Sequence, residues 1–253
     1  MKAGVTDPLR LLAELERLES NYRMGIAYTD DSKKFLSGTV ILKPRQTEGR
    51  SALKFEGRPV LQAVLDACDE SVQCIVELGC GYGRNLIELQ YHITNPDISL
   101  IGAEYTRSGR RAIEFFNARF FQNRPIDVAF TDHSIASFPF IPRDKKVLVF
   151  SCHSLEKLRL LPNDFFIKLA GSADRITGIH IEPFGFQAVP QKDWQEVHLR
   201  HFSFAHIQEY NMNMFQCFFQ AVAAQAVVTE KVSINASFVQ PENPSSILIW
   251  RKP

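Results

Sequence analysis

The stretch that decides the fold is Val76-Glu77-Leu78-Gly79-Cys80-Gly81-Tyr82-Gly83-Arg84-Asn85. Three of the chain's 13 glycines stand here at alternate positions. They follow an apolar run and precede a helical one. A glycine-rich turn between a strand and a helix lets backbone approach a ligand closely. A dinucleotide fingerprint would read G-x-G-x-x-G, and Arg84 stands where its third glycine belongs. The Gly-Lys-Ser/Thr of a phosphate loop is missing too. Glu77, two residues before the first glycine, suits a ligand amino group better than a phosphate.

On both sides of this loop, short apolar runs alternate with helical patterns. Residues 74–78, 99–104, 127–132, 146–151 and 175–183 read as strands. Helices are expected near 84–92 and over 108–121, then over 161–171 where Gly171 stops the run. One long helix is expected over 205–225, after a polar connection. Residues 226–240 and 245–252 read as two more strands joined by a turn-rich stretch. The alternation predicts an α/β fold with a seven-stranded, mostly parallel sheet and helices on both faces. With no helix between the last two strands, an antiparallel edge pair is expected. Ligands of such sheets lie beyond the carboxyl ends of the strands.

Upstream, Asp7-Pro8 starts a helical pattern with Leu11, Leu12, Leu15 and Leu18 on one side. Pro59 opens another, with Val60, Leu61, Val64 and Leu65 on one face. This divides the chain into a helical cap over 1–70 and a ligand-binding domain over 71–253.

Composition narrows the function classes. The formal charge of +1 gives no field to attract nucleic acid or an anionic membrane. The opening MKAGVTDPLR lacks a secretory apolar core, and no apolar run reaches membrane-spanning length. The five cysteines form no C-x-x-C pair, so they read as reduced thiols and the cytoplasm is the expected compartment. Phenylalanine-rich stretches such as 114–121 leave room for a homodimer face.

With Glu77 and the alternate glycines in view, VELGCGYGRN resembles motif I of class I S-adenosylmethionine-dependent methyltransferases. The resemblance spans roughly residues 70–253. It implies a Rossmann-like fold and S-adenosylmethionine as cofactor. It puts Glu77 near the methionine end of the cofactor and Gly79, Gly81 and Gly83 close along it. Glu104, ending the second strand, would accept from the ribose hydroxyls. Asp132, after the third strand, would meet the adenine amino group, although a helix N-cap role fits it equally. Asn85, Tyr105, His133 and Ser151 would complete the cofactor's surroundings.

The fourth strand ends VFSCHSLEKL in place of an Asp/Asn-Pro-Pro-aromatic motif, which weakens a nucleic-acid base as acceptor. His153 then stands at the catalytic rim with a pKa class suited to proton removal. Glu156 would orient it or face solvent. The fifth strand ends GIHIEP, with His180 and Glu182 on one face, either near the chemistry or as metal ligands. No third ligand with diagnostic spacing supports a metal. Tyr22, Arg23 and Tyr28 in the cap, and Tyr210 and Asn211 in EYNMN, are the candidate substrate contacts. More loosely, CHSLEKL, HIEP, EYNMN and NPSSILIWRK are similar to bacterial methyltransferases of sugars, glycans and natural products. The expectation is methyl transfer to a hydroxyl of a small molecule or glycan precursor. N- or C-methylation, a non-catalytic cofactor binder and a nicotinamide oxidoreductase remain the rivals.

Overall fold

The computed structural model describes residues 59–237 and 242–253. Tyr22, Arg23, Tyr28 and the Leu11–Leu18 pattern lie outside the described residues. The chain runs α1 (Pro59–Ala67), β1 (Cys74–Leu78), α2 (Arg84–His92), β2 (Ser99–Glu104), α3 (Arg107–Phe120) and β3 (Asp127–Phe130). It continues through β4 (Lys146–Cys152), α4 (Phe165–Gly171), β5 (Arg175–Glu182), α5 (Gly185–Ala188) and α6 (Glu196–Ile207). It closes with α7 (Met214–Ala223), β6 (Val228–Ser237) and β7 (Ser245–Arg251).

The seven strands lie in the order β3-β2-β1-β4-β5-β7-β6. β1 to β5 are parallel, and β7 is antiparallel to both β5 and β6. The strand order reverses between β1 and β4, where Leu78 faces Ser151 across the ladder. Above that switch point the loops diverge and leave a crevice.

A two-residue period divides the core into two layers. Cys74, Val76, Leu78, Val147 and Val149 face α4 and α7, where Phe165, Phe166, Leu169 and Phe218 are buried. Ile75, Leu148, Phe150, Ile179 and Ile181 face the opposite layer, filled by Val60, Val64, Leu86, Ile113 and Phe116. Helix α1 belongs to this second layer and packs on α2, β4 and β5. Within the phenylalanine-rich stretch 114–121, Phe116, Phe120 and Phe121 are buried in the core. No described helix is long and apolar enough to cross a membrane.

The helix expected over 205–225 is two helices, α6 and α7, separated by residues 208–213. Asparagine chemistry breaks it. Asn211 Oδ1 accepts from the Asn213 and Met214 amides at 3.0 and 2.6 Å, and so caps α7. Asn213 exchanges two bonds with the Leu161 backbone, at 2.8 and 2.9 Å. Helix α6 also starts well before residue 205, because its buried side is His198, His201 and Ala205 rather than an aliphatic stripe.

Gly178 on β5 lies flat against Trp250 on β7; an added Cβ would overlap the indole. Trp250 is 0% exposed and Gly178 is buried, so the ring has no room to yield. Gly178→Ala is expected to lower stability by about 1–3 kcal/mol through overpacking. Denaturant unfolding of the two proteins measures it.

Candidate active site

The glycine loop crosses the switch point in a conformation that side chains oppose. Gly79, Gly81 and Gly83 have φ of 68°, 56° and 81°. This left-handed region costs other residues roughly 1 kcal/mol or more. The Gly79 and Cys80 amides donate to Ala103 O at 2.7 and 3.1 Å, which ties the loop to β2. A Cβ on Gly79 would run into Ser154, and one on Gly83 would press on Ile113. At Gly81 nothing lies within 4 Å of an added Cβ, because that side opens onto a cavity of about 550 Å³.

The cavity's acidic wall comes from β2 and β3. Glu104 is buried, and its carboxylate accepts three bonds. They come from the Gly81 amide (2.9 Å), the Thr106 amide (2.8 Å) and the Thr106 hydroxyl (2.7 Å). Thr106 in turn caps α3 by accepting from the Gly109 amide at 3.1 Å. Tyr105 leans on Phe130 with centroids 5.9 Å apart, and the Arg110 guanidinium stands 5.2 Å over the same Phe130 ring. Asp132 accepts from the Ser134 amide and hydroxyl, at 2.9 and 2.6 Å. Those two bonds hold its carboxyl below the ordinary range. It closes a local turn at the cavity edge rather than capping a helix.

The opposite wall is the turn after β4: His153, Ser154, Lys157 and Leu158. Its geometry is set by Glu182, which is 1% exposed. That carboxylate accepts from the amides of Ser154 (3.0 and 3.1 Å), Leu155 (3.1 Å) and Glu156 (3.3 Å). Glu156 does not face solvent. It is buried, and Oε2 receives Asn243 Nδ2 at 3.0 Å and lies 3.2 Å from His153 Nδ1. Oε1 meets Lys157 Nζ at 2.7 Å. Lys157 also donates to Tyr210 Oη at 2.9 Å and lies 4.2 Å from the centre of that ring. His153 Nε2 is 2.7 Å from Ser245 Oγ. Burial drives the His153 pKa down, but the carboxylates of Glu156 and Glu182 outweigh it and raise it above the ordinary 6.5. His133 bridges to this wall, its Nε2 2.8 Å from Ser154 Oγ. Burial lowers its pKa to about 4, so it is neutral near pH 7.

The expected site residues therefore separate into two groups. Gly79, Gly81, Glu104, Tyr105, Asp132, His133 and His153 line one cavity. Others stand behind its walls. Glu77 is buried under α2 and accepts from Asn85 Nδ2. Ser151 and His180 are register partners bonded to each other at 2.9 Å in the core. His180 is wedged between Phe166 and Trp250, and burial takes its pKa to about 3. It does not reach the cavity, and neither does Glu182. His180 packs in the core, and Glu182 holds the turn that lines the cavity. They do share a face, as the alternation of β5 requires. Asn211 is likewise occupied by backbone, donating to Leu158 O at 2.7 Å and accepting from the first amide of α7, while Tyr210 meets the cavity wall through Lys157. Among the described residues no cluster of His, Cys, Asp and Glu is arranged to hold a metal ion.

Sequence reasoning missed Thr106, Ser134, Ser154, Lys157 and Leu158 as cavity residues. Lys157 carried a signal, standing four residues after His153. Ser245 and Asn243 carried only their position in NPSS.

No protein-family profile matches the chain, and no curated protein matches it. Solved structures do share its fold. One is a geranyl diphosphate C-methyltransferase from Streptomyces coelicolor A3(2), solved with Mg2+, geranyl-S-thiolodiphosphate and S-adenosyl-L-homocysteine. It has a TM-score of 0.51 at 11% identity, covering 83% of this chain and 82% of that one. The mitomycin 7-O-methyltransferase MmcR gives 0.49 at 14% identity, over 77% of this chain and 53% of that one. The pyocyanin biosynthetic protein PhzM gives 0.48 at 10% identity, over 76% and 54%. The chain thus spans about half the length of these last two.

Replacing Glu182 tests the wall. Glu182→Gln puts an amide NH2 against backbone donors. A loss of about 2–3 kcal/mol in denaturant unfolding is expected, the scale of hydrogen bonds to a charged group. The chain folds into the Rossmann-like architecture of S-adenosylmethionine-dependent methyltransferases.

Proposed function

We propose that this chain binds S-adenosylmethionine in the cavity at the switch point and transfers a methyl group to a hydroxyl of a small molecule or glycan precursor. One observation carries the reading. Gly81, Glu104 and His153 line the same cavity, and the Gly81 amide donates to the Glu104 carboxylate at 2.9 Å. The residues fit the cofactor. The open side of Gly81 gives it a backbone cradle that any side chain would fill. Glu104 would accept from its ribose hydroxyls, and the rim of Tyr105, Asp132 and His133 would receive the adenine. When bound, S-adenosylmethionine supplies an electrophilic methyl. The protein's own work is to orient the acceptor and to take its proton.

The remaining expectations belong to this proposal. A near-neutral chain suits a cytoplasmic enzyme whose acceptor is neither nucleic acid nor membrane, and it leaves homodimer formation open to measurement. A second reading is a binder without turnover. It is favoured by the engagement of both His153 nitrogens, with Glu156 and Ser245. N- or C-methylation would use the same cofactor wall.

Calorimetry with S-adenosylmethionine, its demethylated product and NAD tests the cofactor; exclusive NAD binding would overturn the proposal. Gly81→Asp puts a bulky anion into the cradle and is expected to abolish binding. His153→Ala is expected to spare binding and to lower turnover with a hydroxyl acceptor by about 100-fold. If His153 takes the proton, it acts only when neutral. The rate should therefore rise with pH through a midpoint above 6.5. A rate flat from pH 6 to 9 would count against the base.

A further inference from the structure

Lys157 lines the cavity beside His153, Ser154 and Leu158. A lysine side chain ordinarily samples many rotamers, and ordering it for a ligand costs conformational entropy. Here three contacts have ordered it already. Nζ lies 2.7 Å from Glu156 Oε1, donates to Tyr210 Oη at 2.9 Å and stands 4.2 Å from the centre of the Tyr210 ring. Burial lowers its pKa, but Glu156 and the Tyr210 hydroxyl outweigh burial and raise it above the ordinary 10.5. Lys157 is therefore a fixed cation. An ammonium has three donors, and its two bonds leave one. That third N–H meets no protein acceptor among the described residues, and the side chain is 51% exposed.

Charge is placed unevenly on this wall. His153 and Lys157 line the cavity, whereas the carboxylates that balance them, Glu156 and Glu182, do not. Glu156 is 4% exposed and Glu182 1%. Glu156 is also shared: Oε1 meets Lys157, while Oε2 receives Asn243 and lies 3.2 Å from His153 Nδ1. The turn is neutral as a whole, and its positive members are the ones on the cavity. The acids that line the cavity, Glu104 and Asp132, belong to the opposite wall. A ligand that spans the space meets acids at one end and cations at the other.

We propose that Lys157 binds a carboxylate of the acceptor, so that the acceptor is a small hydroxy acid, an inference that rests on the methyl-transfer reading of this cavity. The third N–H of Nζ bonds the carboxylate, a charge-assisted contact that needs no further ordering of the side chain. The hydroxyl to be methylated lies on the His153 side. One carboxylate, Glu156, touches both Lys157 and His153, so a compact molecule reaches both. A phosphate fits this wall less well. It carries more charge and calls for several converging donors, and Lys157 has one to give. It would also meet Glu104 and Asp132 across the cavity.

The test is calorimetry on the full chain with benzoate and benzamide, probes of one shape that differ in charge. It is run on the chain alone and on the chain saturated with S-adenosylhomocysteine. Benzoate should bind about tenfold more tightly than benzamide, the scale of one hydrogen bond to a charged group. Added sodium chloride should weaken benzoate and leave benzamide unchanged. Lys157→Gln should abolish the preference by weakening benzoate alone, and Lys157→Arg should keep it. A lysine that only fastened the wall would weaken both probes together when replaced. Lys157→Met gives the same comparison should Lys157→Gln fail to fold. Equal binding of the two probes by the native chain, no benzoate binding at millimolar concentration, or a preference that survives in Lys157→Gln would each overturn the proposal. Tighter binding of inorganic phosphate than of benzoate would overturn it in favour of a phosphorylated acceptor. Loss of S-adenosylmethionine binding in Lys157→Gln would overturn it by giving the lysine to the cofactor's own carboxylate. If the native chain binds no S-adenosylmethionine, the methyl-transfer reading falls by itself, while benzoate on the chain alone still decides whether Lys157 takes a carboxylate.

Discussion

Four backbone bonds to one buried carboxylate hold the working half of this cavity in place. Glu182 ends β5 and receives the amides of Ser154, Leu155 and Glu156. Three successive amides can converge on one acceptor only if the backbone curls around it, so the turn after β4 has little freedom. The turn carries His153, Ser154, Lys157 and Leu158 along the cavity. Two opposing influences act on Glu182. Burial and the neighbouring Glu156 raise its pKa above the ordinary carboxylate value, and the His153 charge and the Ser154 amide offset them only in part. The geometry favours the ionised form, because every donor points at the oxygens and none needs a proton from them.

The two walls differ in chemistry because their strands end differently. β2 ends in an acid whose carboxylate accepts from amides and a hydroxyl, while the Arg110 guanidinium donates to the Glu104 carbonyl at 2.8 Å. β4 ends in a turn where acid and base alternate, His153, Glu156 and Lys157, and neutralise one another locally. The other buried histidines lack such a carboxylate in bonding distance. Burial keeps His133, His180 and His201 neutral, with pKa values of about 4, 3 and 4. Burial of an imidazole thus lowers its pKa at these three positions, and His153 departs from them because of the carboxylates of Glu156 and Glu182.

The β2 wall of the cavity was legible in the sequence because it is local. Glycine spacing reports backbone dihedrals directly, and Glu104 is marked by its place at the end of a clean apolar strand. β1 and β2 follow the apolar runs residue for residue. The other half was not legible, because its partners are remote. Nothing local tells that Asn243 will meet Glu156, 87 positions away, or that Ser245 will meet His153, 92 away. Tyr210 and Asn211 in EYNMN read equally well as substrate contacts or as part of one amphipathic helix. The structure makes Asn211 and Asn213 breakers, which also explains the two helices where one was expected. Polar residues at strand ends carry the same ambiguity. Glu182 and His180 share a face as the alternation requires, yet a face toward the core is not a face toward the cavity.

The placement of β7 has a consequence for how the protein is made. β7 lies between β5 and β6 in the sheet, yet it is synthesised after both. Until it emerges, β5 keeps an unpaired edge, and unpaired edges attract other chains. The glycine loop, β2 and β3 can be in place by then, so one wall of the cavity can precede the other. Insertion of β7 covers the β5 edge, seats Trp250 on Gly178 and brings Ser245 to His153 in one event. Closing the sheet and completing the polar wall are therefore the same folding step, and a chain stalled before it would have neither.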